Sequence, residues 1–157
     1  KALKGDIVYC TISGFGQEGP YAQFPASDTI MQAMSGVMSV VGEADGAPLR
    51  VGFPLIDMTA ANHAVQAVLL ALYGRLSGRG GAEIDISLMA AASALMGAPL
   101  IDYLATGRVL TRQGNQNTSL APAGAFEVAE GRYITIAVLR DSHWKKFCAA
   151  TGLASRR

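Results

Sequence analysis

A β-branched apolar run, Ile7-Val8-Tyr9-Cys10-Thr11-Ile12-Ser13, predicts a buried strand near the start of the chain. Residues 14–25 are broken by glycine and proline and predict a loop. Over residues 28–41 the apolar positions Ile30, Met31, Met34, Val37 and Met38 fall at helical spacing, behind Ser27-Asp28 as a cap. A surface turn at 42–48 and an extended stretch at 49–54 follow. Residues 57–76, rich in Ala, Leu and Val, predict a long helix that Gly78-Arg79-Gly80-Gly81 stops. Glu83-Ile84-Asp85-Ile86-Ser87 alternates polar and apolar, as a half-buried strand does. Residues 88–106 predict one Ala-rich helix ended by Gly107, and residues 109–122 a long polar loop. Two strands at 124–128 and 133–138, joined by a Glu130-Gly131 turn, and a helix at 142–151 complete the pattern.

This alternation of strands and helices argues for an α/β layer architecture. The pattern changes near Gly107, from apolar helices to a hairpin. A domain boundary is therefore expected at 107–122, separating 1–106 from 123–157. No internal repeat is visible. The longest stretch without a charge or amide runs over 88–101, short of the ~20 residues of a membrane span, and is expected to be a buried helix.

Composition narrows the function classes. Of the 157 residues, 50% are hydrophobic and 16% charged, which excludes a disordered chain. With 13 Lys+Arg against 12 Asp+Glu the net charge is +1, so no general grip on nucleic acid or an anionic membrane is expected, and Arg156-Arg157 is too short for a basic patch. Cys10 and Cys148, both in apolar surroundings, are expected to be buried, reduced thiols rather than a disulfide scaffold or zinc site. That points to a reducing compartment, the cytoplasm or a mitochondrial or peroxisomal matrix. The opening Lys1-Ala2-Leu3-Lys4 has no initiator Met and no apolar leader segment, as expected for an internal piece of a longer protein.

Several segments carry candidate chemistry. Gly14-Phe15-Gly16-Gln17-Glu18-Gly19 matches G-x-G-x-x-G after a strand, but Pro20 and Pro25 prevent the immediate helix that a dinucleotide site needs. As a loop with free amides it could still contact a phosphate or thioester. Asp57 sits at a helix start. It suits an N-cap, and equally a nucleophile held where free amides and the helix dipole favour a carboxylate. His63 lies off the Asp57 face and reads as a core or surface residue. His143 suits a surface helix start, and two distant histidines give no metal spacing. Gln113-Gly114-Asn115-Gln116-Asn117-Thr118-Ser119 reads as a mobile polar loop, either a linker or a lid.

Taken in order, three segments resemble the family III CoA-transferases (the CaiB/BaiF family), a group that includes the α-methylacyl-CoA racemases. They are Ser13-Gly14-Phe15-Gly16-Gln17 with Gly19-Pro20-Tyr21; Asp28 through Gln32-Ala33-Met34-Ser35-Gly36 to Gly42-Glu43; and Arg50-Val51-Gly52 with Pro54 and Asp57, followed by Gly78-Arg79-Gly80 and Ile84-Asp85-Ile86-Ser87-Leu88. Tyr103-Leu104-Ala105-Thr106-Gly107 and Gly114-Asn115 extend the likeness. The resemblance implies part of a Rossmann-like large domain, carrying the nucleophile, followed by the start of a smaller α+β domain, in a family of interlocked homodimers. It implies an acyl-CoA and a free carboxylic acid as substrates, no metal and no permanently bound cofactor. Asp57 matches the family's nucleophile. Gly14, Phe15, Gly16, Gln17, Ser27, Gly114 and Asn115 match positions facing CoA or the acyl group. In the racemases a histidine occupies the position of Ser27. Serine exchanges no proton near neutrality, so the resemblance favours a transferase over a racemase or epimerase. A non-catalytic CoA-binding or dimerisation module, with Asp57 only an N-cap, is the alternative from another class.

Overall fold

Val8–Ser13 form β1, and Ala82–Ser87 form β2, in a parallel pair whose register sets Thr11 opposite Asp85 and Ser13 opposite Ser87. The structure is a computed structural model and describes residues 4–117 and 119–153. Arg156-Arg157 and Thr118 therefore lie outside the described residues. The chain folds as two units, Lys1–Val41 with Pro48–Thr111, and Gly42–Ala47 with Arg112–Arg157.

In the first unit, helices α1 (Asp28–Met34), α2 (Val37–Val40) and α3 (Leu55–Leu76) lie between β1 and β2 in sequence. The single helix expected at 28–41 is broken. Gly36 adopts a left-handed backbone, φ +86°, between α1 and α2. The long helix begins at Leu55, before the expected Asp57, and is stopped as expected at Gly78, φ +81°, where the Arg79 N–H reaches back to the Gly74 carbonyl at 3.0 Å. A short turn joins it to β2. Arg75, in its last turn, lies 3.9 Å from Asp6, just before β1. Its C-terminus is thus at the amino ends of the strands, and its first turn at their carboxyl ends. With 22 residues, 17% of its most apolar stretch buried, α3 is long and apolar enough to cross a membrane, a test that core helices of soluble proteins also pass.

Helix α4 (Leu88–Leu95) starts directly from β2, with the Ser87 hydroxyl accepting from the Ala90 N–H at 3.0 Å. The continuous helix expected at 88–106 is bent by 66° into α4 and α5 (Gly97–Thr106). Pro99 has no N–H for the Leu95 carbonyl, and Gly97 is a weak helix former; the break falls at Met96, just before them. The expectation of a buried helix fails here: α4 buries only Ala91 and Ala92, α5 buries nothing, and Ile101 and Leu104 are exposed. The core of this unit is Met31, Val37, Ile56 and Ala92, with Phe15, Ala26, Val51, Leu55, Leu88 and Met89 packed around them.

The second unit is built on an antiparallel hairpin, β3 (Ala123–Val128) and β4 (Arg132–Ala137), whose turn carries Glu130 and Gly131 at φ +65° and +67°. Helix α6 (Asp141–Thr151) follows, burying Cys148. Both cysteines are free; the burial expected of both holds for Cys148 only, Cys10 being half-buried in β1.

Candidate active site at the first turn of the long helix

Asp57 is the third residue of α3, with Pro54 at the N-cap making no side-chain cap bond, so the N-cap reading of Asp57 does not hold. Its side chain is exposed, while Ile56 beside it is wholly buried in the core. The buried neighbour anchors the turn and the carboxylate projects outward from it.

The free amides expected around Asp57 are all occupied. Leu55 N–H donates to the Phe53 carbonyl at 2.8 Å, and Met58 N–H to the Pro54 carbonyl at 3.1 Å. The other two donate to one oxygen: Asp28 Oδ1 accepts from Ile56 N–H at 2.7 Å and from Asp57 N–H at 3.2 Å. Asp28, 8% exposed, thus caps α3 from the first turn of another helix. Ser27, at the N-cap of its own helix α1, accepts from the Ile30 N–H at 3.5 Å.

Gln32, 0% exposed, completes the network. Its Nε2 donates to Asp28 Oδ2 at 2.6 Å and to the Phe53 carbonyl at 3.4 Å, and its Oε1 accepts from Val51 N–H at 2.8 Å. One carboxylate and one amide thereby tie α1 to the 51–57 segment. Each side-chain oxygen and nitrogen of Asp28 and Gln32 has a partner, as burial demands. Sequence reading missed both residues as site components. The available signal was a polar pair at helical i, i+4 spacing, Asp28 and Gln32, inside an otherwise apolar face.

The 14–17 loop leaves β1 at the same, carboxyl, end of the strands. Gly14 has no room for a side chain: a Cβ there would collide with the Ala26 Cβ. Phe15 packs on the core that also holds Ile56, and its ring lies 5.3 Å from that of Tyr21. Gly16 takes φ +94° and its N–H donates to the Ser13 hydroxyl at 3.1 Å; Gln17 N–H donates to Asp85 Oδ2 at 3.1 Å. The structure therefore gathers the 14–17 loop, Ser27 and Asp57 around one core. Crevices at the carboxyl ends of parallel strands are where such sheets bind ligands.

Gly114 and Asn115 belong to the second unit, both exposed. The mobile polar loop expected there is tied to backbone neighbours. Gly114 N–H donates to the Gly42 carbonyl at 2.9 Å, Asn117 N–H to the Ala123 carbonyl at 2.9 Å, and Ala125 N–H to the Asn115 carbonyl at 3.0 Å, with Gln116 bridged to Gly124. His63 is half-buried in α3, and His143 sits in the first turn of α6, its Nε2 accepting from Arg140 Nε at 2.9 Å. A separate groove of about 250 Å³ is lined by Ser35, Ser39, Met96, Leu100 and Tyr103 among others; none of the sequence-predicted site residues lines it.

Comparison with known proteins gives a consistent result. The chain is 34% identical to the succinate–glutarate CoA-transferase of Agrobacterium fabrum over 99% of its own length and 38% of that protein. It is 37% identical to the acetyl-CoA:oxalate CoA-transferase of Acetobacter aceti, over 93% of its length and 38% of the relative. Among solved structures, a CaiB/BaiF family protein from Brucella suis matches with a TM-score of 0.85 at 33% identity, covering 98% of this chain and 40% of that one. The chain thus spans well under half the length of the relatives it matches. The model of CoA-transferase family III matches residues 1–156, and the chain belongs to that family.

Proposed function

We propose that the complete protein is an acyl-CoA:carboxylate CoA-transferase in which Asp57 is the nucleophile. The observation that carries the reading is the exposed Asp57 carboxylate on a helix turn whose backbone is fully bonded and anchored by buried Ile56. The family membership supplies the class of reaction.

In this reading Asp57 attacks the thioester carbonyl of the donor. The tetrahedral oxyanion collapses, expels CoA thiolate and leaves an acyl-aspartyl anhydride. The thiolate returns to the aspartyl carbonyl, forming an Asp57–CoA thioester and releasing the donor's carboxylate. The acceptor carboxylate attacks that thioester, giving a new anhydride and thiolate. Attack of the thiolate on the acceptor's acyl carbon yields the product thioester and restores Asp57. Each step passes through an oxyanion. The first-turn amides of α3 are committed to Asp28 and to neighbouring carbonyls, so the oxyanion draws its donors from other groups. No step calls on a metal or a resident cofactor, CoA being part of the substrate.

The 14–17 loop and Ser27 border the thioester in this account. For Gly114 and Asn115 the family resemblance supports a substrate-facing role. The reading extends to an interlocked homodimer in a reducing compartment. The names of the relatives point to dicarboxylic acids, succinate, glutarate and oxalate, as the first acceptors to try.

The test is a transfer assay of the complete protein with succinyl-CoA and acetyl-CoA as donors and these acids as acceptors, run in deuterated water. New acyl-CoA without deuterium at the α-carbon supports transfer. Deuterium uptake without exchange of the acid would instead indicate a racemase using a base other than the residue at Ser27. Neither activity over a broad panel would favour a binding module.

A further inference from the structure

We propose that Asp85 is a positioning residue that fixes the 14–17 loop by holding its Gln17 amide, which with the Gly16 amide already held by Ser13 leaves this turn to meet a ligand through side chains and not as a phosphate cradle. The inference rests on the reading of that loop as part of the acyl-CoA site. Glu83, Asp85 and Ser87 alternate onto one face of β2, and the bland account of such a face is solvation. Asp85 differs from Glu83 in one respect: its Oδ2 accepts from the Gln17 N–H at 3.1 Å, across 68 positions of sequence.

The loop is shaped to that carboxylate. The register sets Thr11 opposite Asp85, so β1 leads the chain past it. Gly16, at φ +94°, turns the backbone back; a Cβ there would stand 3.7 Å from Asp85 Oδ2 and 4.0 Å from the Ser87 Cβ. The Gly16 N–H is held by Ser13 at 3.1 Å. Two successive amides are thus satisfied from within the chain, by a hydroxyl and an anion. Among the described residues no ion pair neutralises Asp85. A phosphate brought to the same two amides would compete with Asp85 for the Gln17 N–H and with Ser13 for the Gly16 N–H, and would face the Asp85 charge. Beside these two bonded amides the Gln17 side chain is exposed, next to the core-packed Phe15.

The experiment compares Asp85→Ala, Asp85→Val and Asp85→Asn in the complete protein, by hydrogen exchange of the peptide covering residues 14–19 and by steady-state kinetics. Asn keeps an oxygen acceptor in place; Ala and Val remove it, and Val suits a strand should Ala fail to fold. Loss of a charge-assisted bond predicts at least ~10-fold faster exchange in the loop for Ala and Val, with Asn within about threefold of wild type. KM for the acyl-CoA should rise ~10-fold for Ala and Val with kcat within about threefold, and Asn should restore it. Unchanged loop exchange in Ala and Val, Asn behaving as Ala, or a lower KM on removing the carboxylate would each overturn the proposal. The exchange measurement needs no substrate. A wild-type protein that transfers no CoA would therefore count against the proposed function while the positioning by Asp85 is still decided.

Discussion

In its first two turns α3 buries Ile56 and Ala60 completely and has its first four amides bonded; in its last three turns Leu69, Leu70, Tyr73 and Leu76 are 60%, 72%, 72% and 84% exposed. Both ends are apolar in sequence. They differ in what this chain sets against them. The first turn meets Met31 and the Asp28–Gln32 pair of α1, and is completed locally. The later turns leave these large apolar side chains in solvent, with nothing among the described residues packed over them. The comparison shows that the end bearing Asp57 is pre-organised within these residues, while the later turns of the helix are left exposed.

The largest effect expected is at Asp57 itself. Asp57→Asn in the complete protein should lower CoA transfer by at least ~1000-fold, as loss of a nucleophile does. The unfolding free energy should stay within about 0.5 kcal/mol of wild type, because the side chain is exposed. Comparable losses of activity and stability would erase the distinction between a reacting group and its support.

Asp28→Ala should do the reverse. It strips the cap from two amides and a partner from buried Gln32, and should cost about 3 kcal/mol in denaturant unfolding, with Asp28→Asn costing less. Gln32→Leu keeps the bulk but orphans Asp28 Oδ2 and the Val51 N–H, for a cost of about 2 kcal/mol. Unaltered unfolding midpoints in both would mean that the first turn is held by apolar packing alone.

The smallest effect on stability belongs to the other end. Leu70→Glu in the 157-residue chain should leave the unfolding free energy within about 0.5 kcal/mol while reducing self-association seen by light scattering. A parent chain that is a clean monomer would contradict the covered-face account.

Sequence and structure part company along the same line. Period and punctuation made β1, β2, the hairpin and the glycine stops legible as elements, because each depends on neighbours a few residues away; the burial expected of β1 fails, with Tyr9 and Ile12 exposed. The breaks at Gly36 and at Met96 were overrun by apolar periodicity that continues on both sides, although both carry their signals in plain view, Gly36 itself and the Gly97 and Pro99 that follow Met96. Apolar composition made α5 look buried; composition reports that a face is to be covered and says nothing about which segment covers it. Near the candidate site, the motifs drew attention to Asp57 and the 14–17 loop, and a helix start implied open amides. That the amides are closed depends on Asp28, 28 and 29 positions away, and on Asp85, 68 positions from Gln17. Such pairings are set by tertiary placement and leave no local pattern.

The central claim is covalent chemistry at Asp57, and the direct measurement is mass spectrometry of the complete protein incubated with succinyl-CoA or acetyl-CoA and quenched with hydroxylamine. The account predicts a hydroxamate on the peptide bearing Asp57, dependent on the acyl-CoA and absent in Asp57→Asn. Turnover of the same donor with Asp57 unmodified, or with the label on another carboxylate, would contradict it.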